Sequence, residues 1–146
     1  MAKAPPEHHD DRPAVRWMAK VARHDFEAAY RYLSLRMPEK QARVLADRLR
    51  KTPELETRRA NDILRAAGLD PLPLDDPGVM HDLLKVARGD ALSPVLVITF
   101  EDRAEIADGY HRVSLSYRLD PFGEVPLIIA SGEAAASSRP PGARKT

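Results

Sequence analysis

Four consecutive residues, Gly109, Tyr110, His111 and Arg112, carry the densest chemistry in this chain. A glycine can adopt a positive φ and let backbone N–H groups come close to an anion, and a helix that starts there adds the positive end of its dipole. His111 and Arg112 then supply directed donors, Arg112 as a fork that matches two phosphate oxygens at once. This pattern serves the holding of an anion, and phosphate fits it best. Asp108, one residue upstream, is placed to be a proton-transfer base, a ligand for a nucleotide-bound Mg²⁺, or a cap on the helix N–H groups. His111 is the second catalytic candidate, as a general acid. Ser93, at a Ser-Pro step, is a further ligand-lining candidate. Each has a plainer alternative: a turn glycine, a helix-surface histidine, a strand-starting serine, an arginine paired with nearby carboxylates.

To present these groups, the chain needs a strand entering the turn and a helix leaving it. Residues 94–100 are a continuous apolar run rich in Val and Ile, the pattern of a strand buried on both faces. Glu101-Asp102-Arg103 makes a turn, and residues 104–107 return as a second strand, so a hairpin delivers the chain to Asp108-Gly109. Residues 110–119 read as a helix and 125–130 as a last strand. Tyr110 and Tyr117, seven apart, share a helix face and belong to the core or an interface.

Upstream, the periodicity is helical. Phe26, Ala29, Tyr30, Leu33 and Met37 form one apolar stripe, and Ala42, Leu45, Ala46 and Leu49 form a second after Pro38. A third helix is expected to start at Thr52-Pro53, with Thr52 as N-cap, Ala60, Ile63, Leu64 and Ala67 as its face, and Gly68 as its stop. The proline-rich residues 69–74 read as a connector or edge strand. Asp75-Asp76-Pro77 opens a further helix with Val79, Met80, Leu83, Leu84 and Ala87 towards the core. Trp17, alone before the first helix, caps a hydrophobic cluster.

The organisation expected is therefore a helical subdomain at residues 16–68 and an α+β domain at 69–130, between polar, unstructured tails at 1–15 and 131–146. His8 and His9 lie in the first tail, without further ligands at metal-binding spacing, and no metal site is expected. The absence of cysteine rules out disulfides, thiolate zinc sites and thiol nucleophiles, and makes a reducing cytoplasm the natural setting. No apolar run approaches bilayer length, so no membrane association is expected.

The net charge of +1 hides an asymmetry. Residues 16–65 carry 13 Lys/Arg against 7 Asp/Glu, whereas residues 66–130 carry 5 against 11. The basic half could meet nucleic acid, or the halves could attract each other within one fold. No recognition helix stands out, and a solvated helical cap is the commoner outcome.

The order from residue 72 to 130 is extended segment, helix, Ser-Pro, buried strand, turn, short strand, Gly-x-His-Arg, helix and strand, and it resembles the ParB/sulfiredoxin-like superfamily. The matching residues are Leu92-Ser93-Pro94-Val95-Leu96-Val97-Ile98, Ile106-Ala107-Asp108-Gly109-Tyr110-His111-Arg112 and Val125-Pro126-Leu127. The resemblance implies a small mixed sheet with helices, and a nucleotide or other phosphorylated ligand held by Gly109, His111 and Arg112. It also implies Mg²⁺ with a nucleoside triphosphate, and phosphoryl transfer or nucleotide hydrolysis as the reaction class. The chain departs from the pattern in three places. Tyr110 stands where sulfiredoxins place their cysteine, which excludes sulfinic-acid repair. Asp76-Pro77 is followed by Gly78-Val79 where sulfiredoxins have a lysine, and the nearest lysine is Lys85. The helices precede the domain, whereas ParB partition proteins carry their DNA-binding helices after it. The superfamily includes a free-serine kinase that needs a carboxylate base, for which Asp75, Asp76, Asp82 and Asp108 are the candidates. The alternative function is a non-catalytic module that binds protein or nucleic acid through the basic N-terminal helices.

Overall fold

The structure, a computed structural model, describes residues 14–133. Most of both expected tails, and His8 and His9 with them, lies outside these residues. The described elements are α1 (Arg23–Arg36), α2 (Glu39–Arg50), β1 (Glu56–Arg59), α3 (Ala60–Ala67), α4 (Pro77–Ala87), β2 (Val95–Thr99), β3 (Ala104–Asp108), α5 (Tyr110–Leu119) and β4 (Glu124–Ser131). The class is α+β, with a mixed four-stranded sheet in the order β1-β4-β2-β3. β2 and β3 form the expected antiparallel hairpin, closed by Phe100 N–H donating to the Arg103 carbonyl at 2.7 Å. α5 then carries the chain across the sheet so that β4 lies parallel to β2, and β1 pairs antiparallel with the outer side of β4.

Burial follows from this order. Val95 to Ile98 of the central strand β2 are all buried, as an apolar run with no polar alternation requires. Leu96, Ile98, Ala107, Ile128 and Ala130 point to one face, where they meet Phe26, Ala29 and Leu33 of α1 and Ala42, Leu45 and Leu49 of α2. Val95, Val97, Ile106, Val125 and Leu127 point to the other, against Ala60, Ile63 and Leu64 of α3 and Val113 of α5. A smaller cluster joins α4 to α5 through Val79, Val86, Leu92 and Leu115, with Trp17 packed beside it. Residues on both sides of Gly68 thus share the same two main clusters.

Three local expectations differ from what is observed. The third helix does not begin at Thr52-Pro53: Thr52 lies just past the end of α2 and is tied back to its last turn, its Oγ1 donating to the Arg48 carbonyl at 2.8 Å and its N–H to the Leu49 carbonyl at 3.1 Å. Residues 56–59, expected within that helix, are strand β1, exposed along their whole length, so no apolar side chain announces them. Residues 16–68, expected to be a three-helix subdomain, hold α1, α2 and the short α3 with strand β1 between the last two. In α4 the buried face is Val79, Asp82 and Val86, whereas Met80 and Leu84 are exposed. β4 also runs one residue further than expected, to Ser131, and Glu133 Oε2 accepts from the Glu101 N–H at 2.9 Å. The terminators behave as read: Gly68 closes α3 at φ 68°, and Asp76 caps α4 by accepting from Gly78 and Val79 N–H at 2.9 and 3.1 Å.

Candidate functional site

β3 runs into Asp108, Gly109 makes the turn, and α5 starts at Tyr110, the strand–turn–helix context that the sequence demanded. Gly109 sits at φ 111°, and a Cβ there would lie 2.9 Å from Val95 Cγ2 and 3.1 Å from Arg112 Nη2, so both backbone conformation and space require glycine. No side chain caps α5. Its first-turn N–H groups lack intrahelical partners by construction, which concentrates positive partial charge at the turn. Asp108, for which a capping role was one expectation, does not cap this helix. Tyr110 is anchored instead, its hydroxyl donating to the Asp70 carbonyl, and it packs with Tyr117 against the α3-side cluster.

His111 is half exposed and leans over the start of α4. Its Nε2 lies 3.5 Å from Asp76 Oδ2, the capping oxygen of α4. The imidazole occupies the space above Gly78 so fully that a Cβ on Gly78 would collide with the ring. The starts of α4 and α5 therefore meet at this side chain.

Arg112 is mostly buried and already engaged. Its Nη2 lies 3.0 Å from Asp108 Oδ2, 3.3 Å from Asp25 Oδ2 and 3.3 Å from the Pro94 carbonyl. Its Nε is buried with no hydrogen-bond partner. The guanidinium is thus shared by two carboxylates. The Asp108 carboxyl titrates above its ordinary value: burial raises it, Asp25 adds to the rise by charge and hydrogen bond, and Arg112 offsets this only in part.

Ser93 faces inward. Its Oγ accepts from the Ala22 N–H at 2.9 Å, fixing the chain just before α1. Sequence reasoning missed Asp25 altogether, 87 residues from Arg112. One signal could have found it. Asp25 lies four residues before Ala29 and eight before Leu33, a charged residue on the buried stripe of α1, and a buried charge demands a partner.

The other carboxylates disperse. Asp76 caps α4, Asp82 is buried in α4, and Asp75 lies in the turn before that helix. Among the described residues no group of three or more His, Asp or Glu side chains is arranged to hold a metal. The basic residues upstream mostly have local partners: Arg58 pairs with Glu56, Arg65 with Asp62 and Arg36 with Glu105, while Arg43 lies 3.6 Å over the Tyr30 ring. An apolar hollow of about 300 Å³ lies away from the turn, between α3 and the sheet, lined by Ile63, Ala66, Val97, Leu127 and Ile129. Its rim groups, Arg58 and Asp62, are the ones paired above, so it presents no convergent polar set.

Comparison with known protein families, characterised proteins and solved structures finds no match to this chain. The likeness to the ParB/sulfiredoxin-like superfamily therefore rests on the motif residues at 92–98, 106–112 and 125–127 alone. No helix among the described residues is long and apolar enough to cross a membrane.

Proposed function

We propose that this protein is a ParB/sulfiredoxin-like domain, working in the cytoplasm, that binds a nucleotide or other phosphorylated ligand at the Gly109–Arg112 turn. One observation carries the reading: α5 starts without a side-chain cap behind a left-handed glycine, and the half-exposed His111 stands at its mouth. An anion there takes hydrogen bonds from the first-turn N–H groups of α5 and from His111. Arg112 acts from beneath, as the positive charge at the base of the turn. Phosphoryl transfer or nucleotide hydrolysis is the reaction class that suits such a site, because it depends on positioning and electrostatics more than on a covalent nucleophile. Of the two proton-transfer candidates, His111 is the one open to solvent, and Asp108 is held against Arg112. Mg²⁺ belongs to this proposal as the counter-ion of a nucleoside triphosphate. The described side chains form no cage for it, so no step is routed through it.

The test is calorimetric titration of the full chain and of His111→Ala with ATP, CTP and ADP in the presence of Mg²⁺. Binding of at least one nucleotide by the wild type, weakened about tenfold by His111→Ala, is expected. Absence of heat with all three removes the proposal. His111→Ala is a cleaner probe than Arg112→Ala, because loss of the guanidinium strands two buried carboxylates.

A further inference from the structure

Strand β1 ends the sheet on the side away from β3 and the Gly109 turn, and among the described residues no strand lies along its outer edge. All of its residues, Glu56 to Arg59, are exposed. The Ala60 N–H donates to the Gly123 carbonyl at 3.0 Å, and Thr57 lies opposite Pro126. Backbone groups alternate in an antiparallel pair, so residues 56, 58 and 60 bond towards β4 while Leu55, Thr57 and Arg59 direct theirs outwards. Arg58 folds over that outer edge: its Nη1 donates to the Thr57 carbonyl at 2.9 Å and its Nη2 to Glu56 Oε1 at 2.9 Å. Both charged side chains are half exposed, so this pair contributes ~1 kcal/mol or less.

We infer that the outer edge of β1 pairs antiparallel with the same edge of a second copy of this chain, about a two-fold axis at Thr57, joining two four-stranded sheets into one. The register selects this occupant. An outward-facing residue pairs only with another outward-facing one, so the axis falls on a residue and never between two. At Thr57 it sets Glu56 opposite the partner's Arg58, and Arg58 opposite the partner's Glu56, in the non-hydrogen-bonded pairs where side chains approach most closely. Thr57 then meets its own copy, and Leu55 packs along the aliphatic stem of the partner's Arg59. An axis at Arg58 would put two guanidiniums face to face, and one at Arg59 would run into α3. Each intrachain Glu56–Arg58 pair is exchanged for an interchain one, so charge balance is kept and the backbone bonds through Leu55, Thr57 and Arg59 are the gain. Because the contact uses the same edge on both chains, assembly closes at two. The shortness of the edge makes this a weak dimer, with a Kd of about 0.1–0.5 mM.

Sedimentation equilibrium of the full chain, from about 0.02 to about 1 mM, is expected to move from monomer towards dimer. Arg58→Glu sets like charges opposite each other at both ends of the axis and is expected to weaken association about tenfold, as is Glu56→Arg. Combining the two substitutions restores complementarity and is expected to return the dimer. Thr57→Pro removes an N–H that points away from β4 and is expected to leave a folded monomer. Thermal unfolding verifies each variant. A wild type that stays monomeric over the whole range overturns the inference. So does a dimer that survives in folded Arg58→Glu and Thr57→Pro, which would place the contact elsewhere, or one that the paired charge exchange fails to restore. Should the variants fail to fold, amide exchange at Thr57 of the wild type decides: slowing as the protein is concentrated supports the pairing, and an unchanged rate overturns it.

Discussion

Two charged clusters tie α1 to β3, and they are built on opposite stoichiometries. At the far end of α1 a single buried carboxylate, Glu105, accepts from Tyr32 at 2.6 Å, Arg36 Nη2 at 2.6 Å and Arg103 Nε at 3.0 Å. At the near end two carboxylates, Asp25 and Asp108, share one guanidinium whose Nε has no partner. The titrations follow the counts. Burial alone would raise the Glu105 carboxyl, but hydrogen bonds from Arg36, Tyr32 and Arg103 outweigh it and hold it below its ordinary value, whereas Asp108 is pushed up. The same balance pushes Tyr32 up to about 12, by burial and by the carboxylate it serves. A cluster with donors to spare is a clamp. A cluster with two carboxylates to one cation is short of positive charge, and its charges are left partly uncompensated.

Removing the central cation breaks the comparison most sharply. Arg112→Ala leaves Asp25 and Asp108 facing each other without compensation, and a loss of about 3–5 kcal/mol in urea unfolding at neutral pH is expected. Acidification should recover part of it, as the two carboxyls take up protons. An Arg112→Ala protein as stable as the wild type at pH 7 would show that the cation-poor cluster carries no structural charge balance. Glu105→Gln comes next, with an expected loss of about 2 kcal/mol, since charge-assisted bonds to three donors are weakened while shape is kept. Here too acid narrows the gap, but because the wild type weakens and not because the variant recovers. A carboxyl with a lowered folded value contributes stability above its ordinary 4.5 and loses it as pH falls through the lowered value, so the gap between Glu105→Gln and wild type should close in acid. A gap that widens in acid would contradict the clamp.

The two clusters also mark what a sequence can disclose. The hairpin, the Gly109 turn, α5 and β4 were legible because local signals agree there: an apolar run, a polar turn, a glycine, a second periodicity. Strand β1 was not, because Glu56, Thr57, Arg58 and Arg59 pair through their backbones with residues 124–127 and bury no side chain, leaving only a weak β pattern among charged residues. The α4 stripe was misplaced for a related reason: Met80 and Leu84 are apolar yet exposed, while Asp82 is polar yet buried, and only the packing against α5 decides which side faces in. Of the site, Gly109, His111 and Arg112 were read from adjacency. Asp25 arrives through the fold of α1 across the sheet edge, a contact of 87 residues' separation that no spacing rule reaches, and the same packing turns Ser93 towards Ala22.

Asp108→Asn sharpens the comparison within the cation-poor cluster. An acid whose folded value is raised contributes stability that is full below its ordinary 3.8 and is lost as pH rises through the raised value. Wild-type unfolding free energy should carry this falling component above pH 3.8, and Asp108→Asn should lack it, with a change of about 1 kcal/mol or less at neutral pH because repulsion from Asp25 and attraction to Arg112 are lost together. A variant that retains the full wild-type profile over that window would assign the component to another group.

The smallest effect on stability is expected at His111. His111 is half exposed, and its nearest charged neighbour, Asp76, already satisfies two backbone donors of α4. His111→Ala should therefore unfold within about 0.5 kcal/mol of the wild type. Gly78 gains open space beside it and no buried group loses its partner, which is why the fold is indifferent to the change. The imidazole stands at the meeting point of two helix starts, where the proposed ligand would contact it. Equal stability with weakened nucleotide binding would separate its role from that of Arg112, where stability and binding fall together. A loss of 2 kcal/mol or more on urea unfolding, a range characteristic of buried and networked groups, would place His111 among the clamps instead.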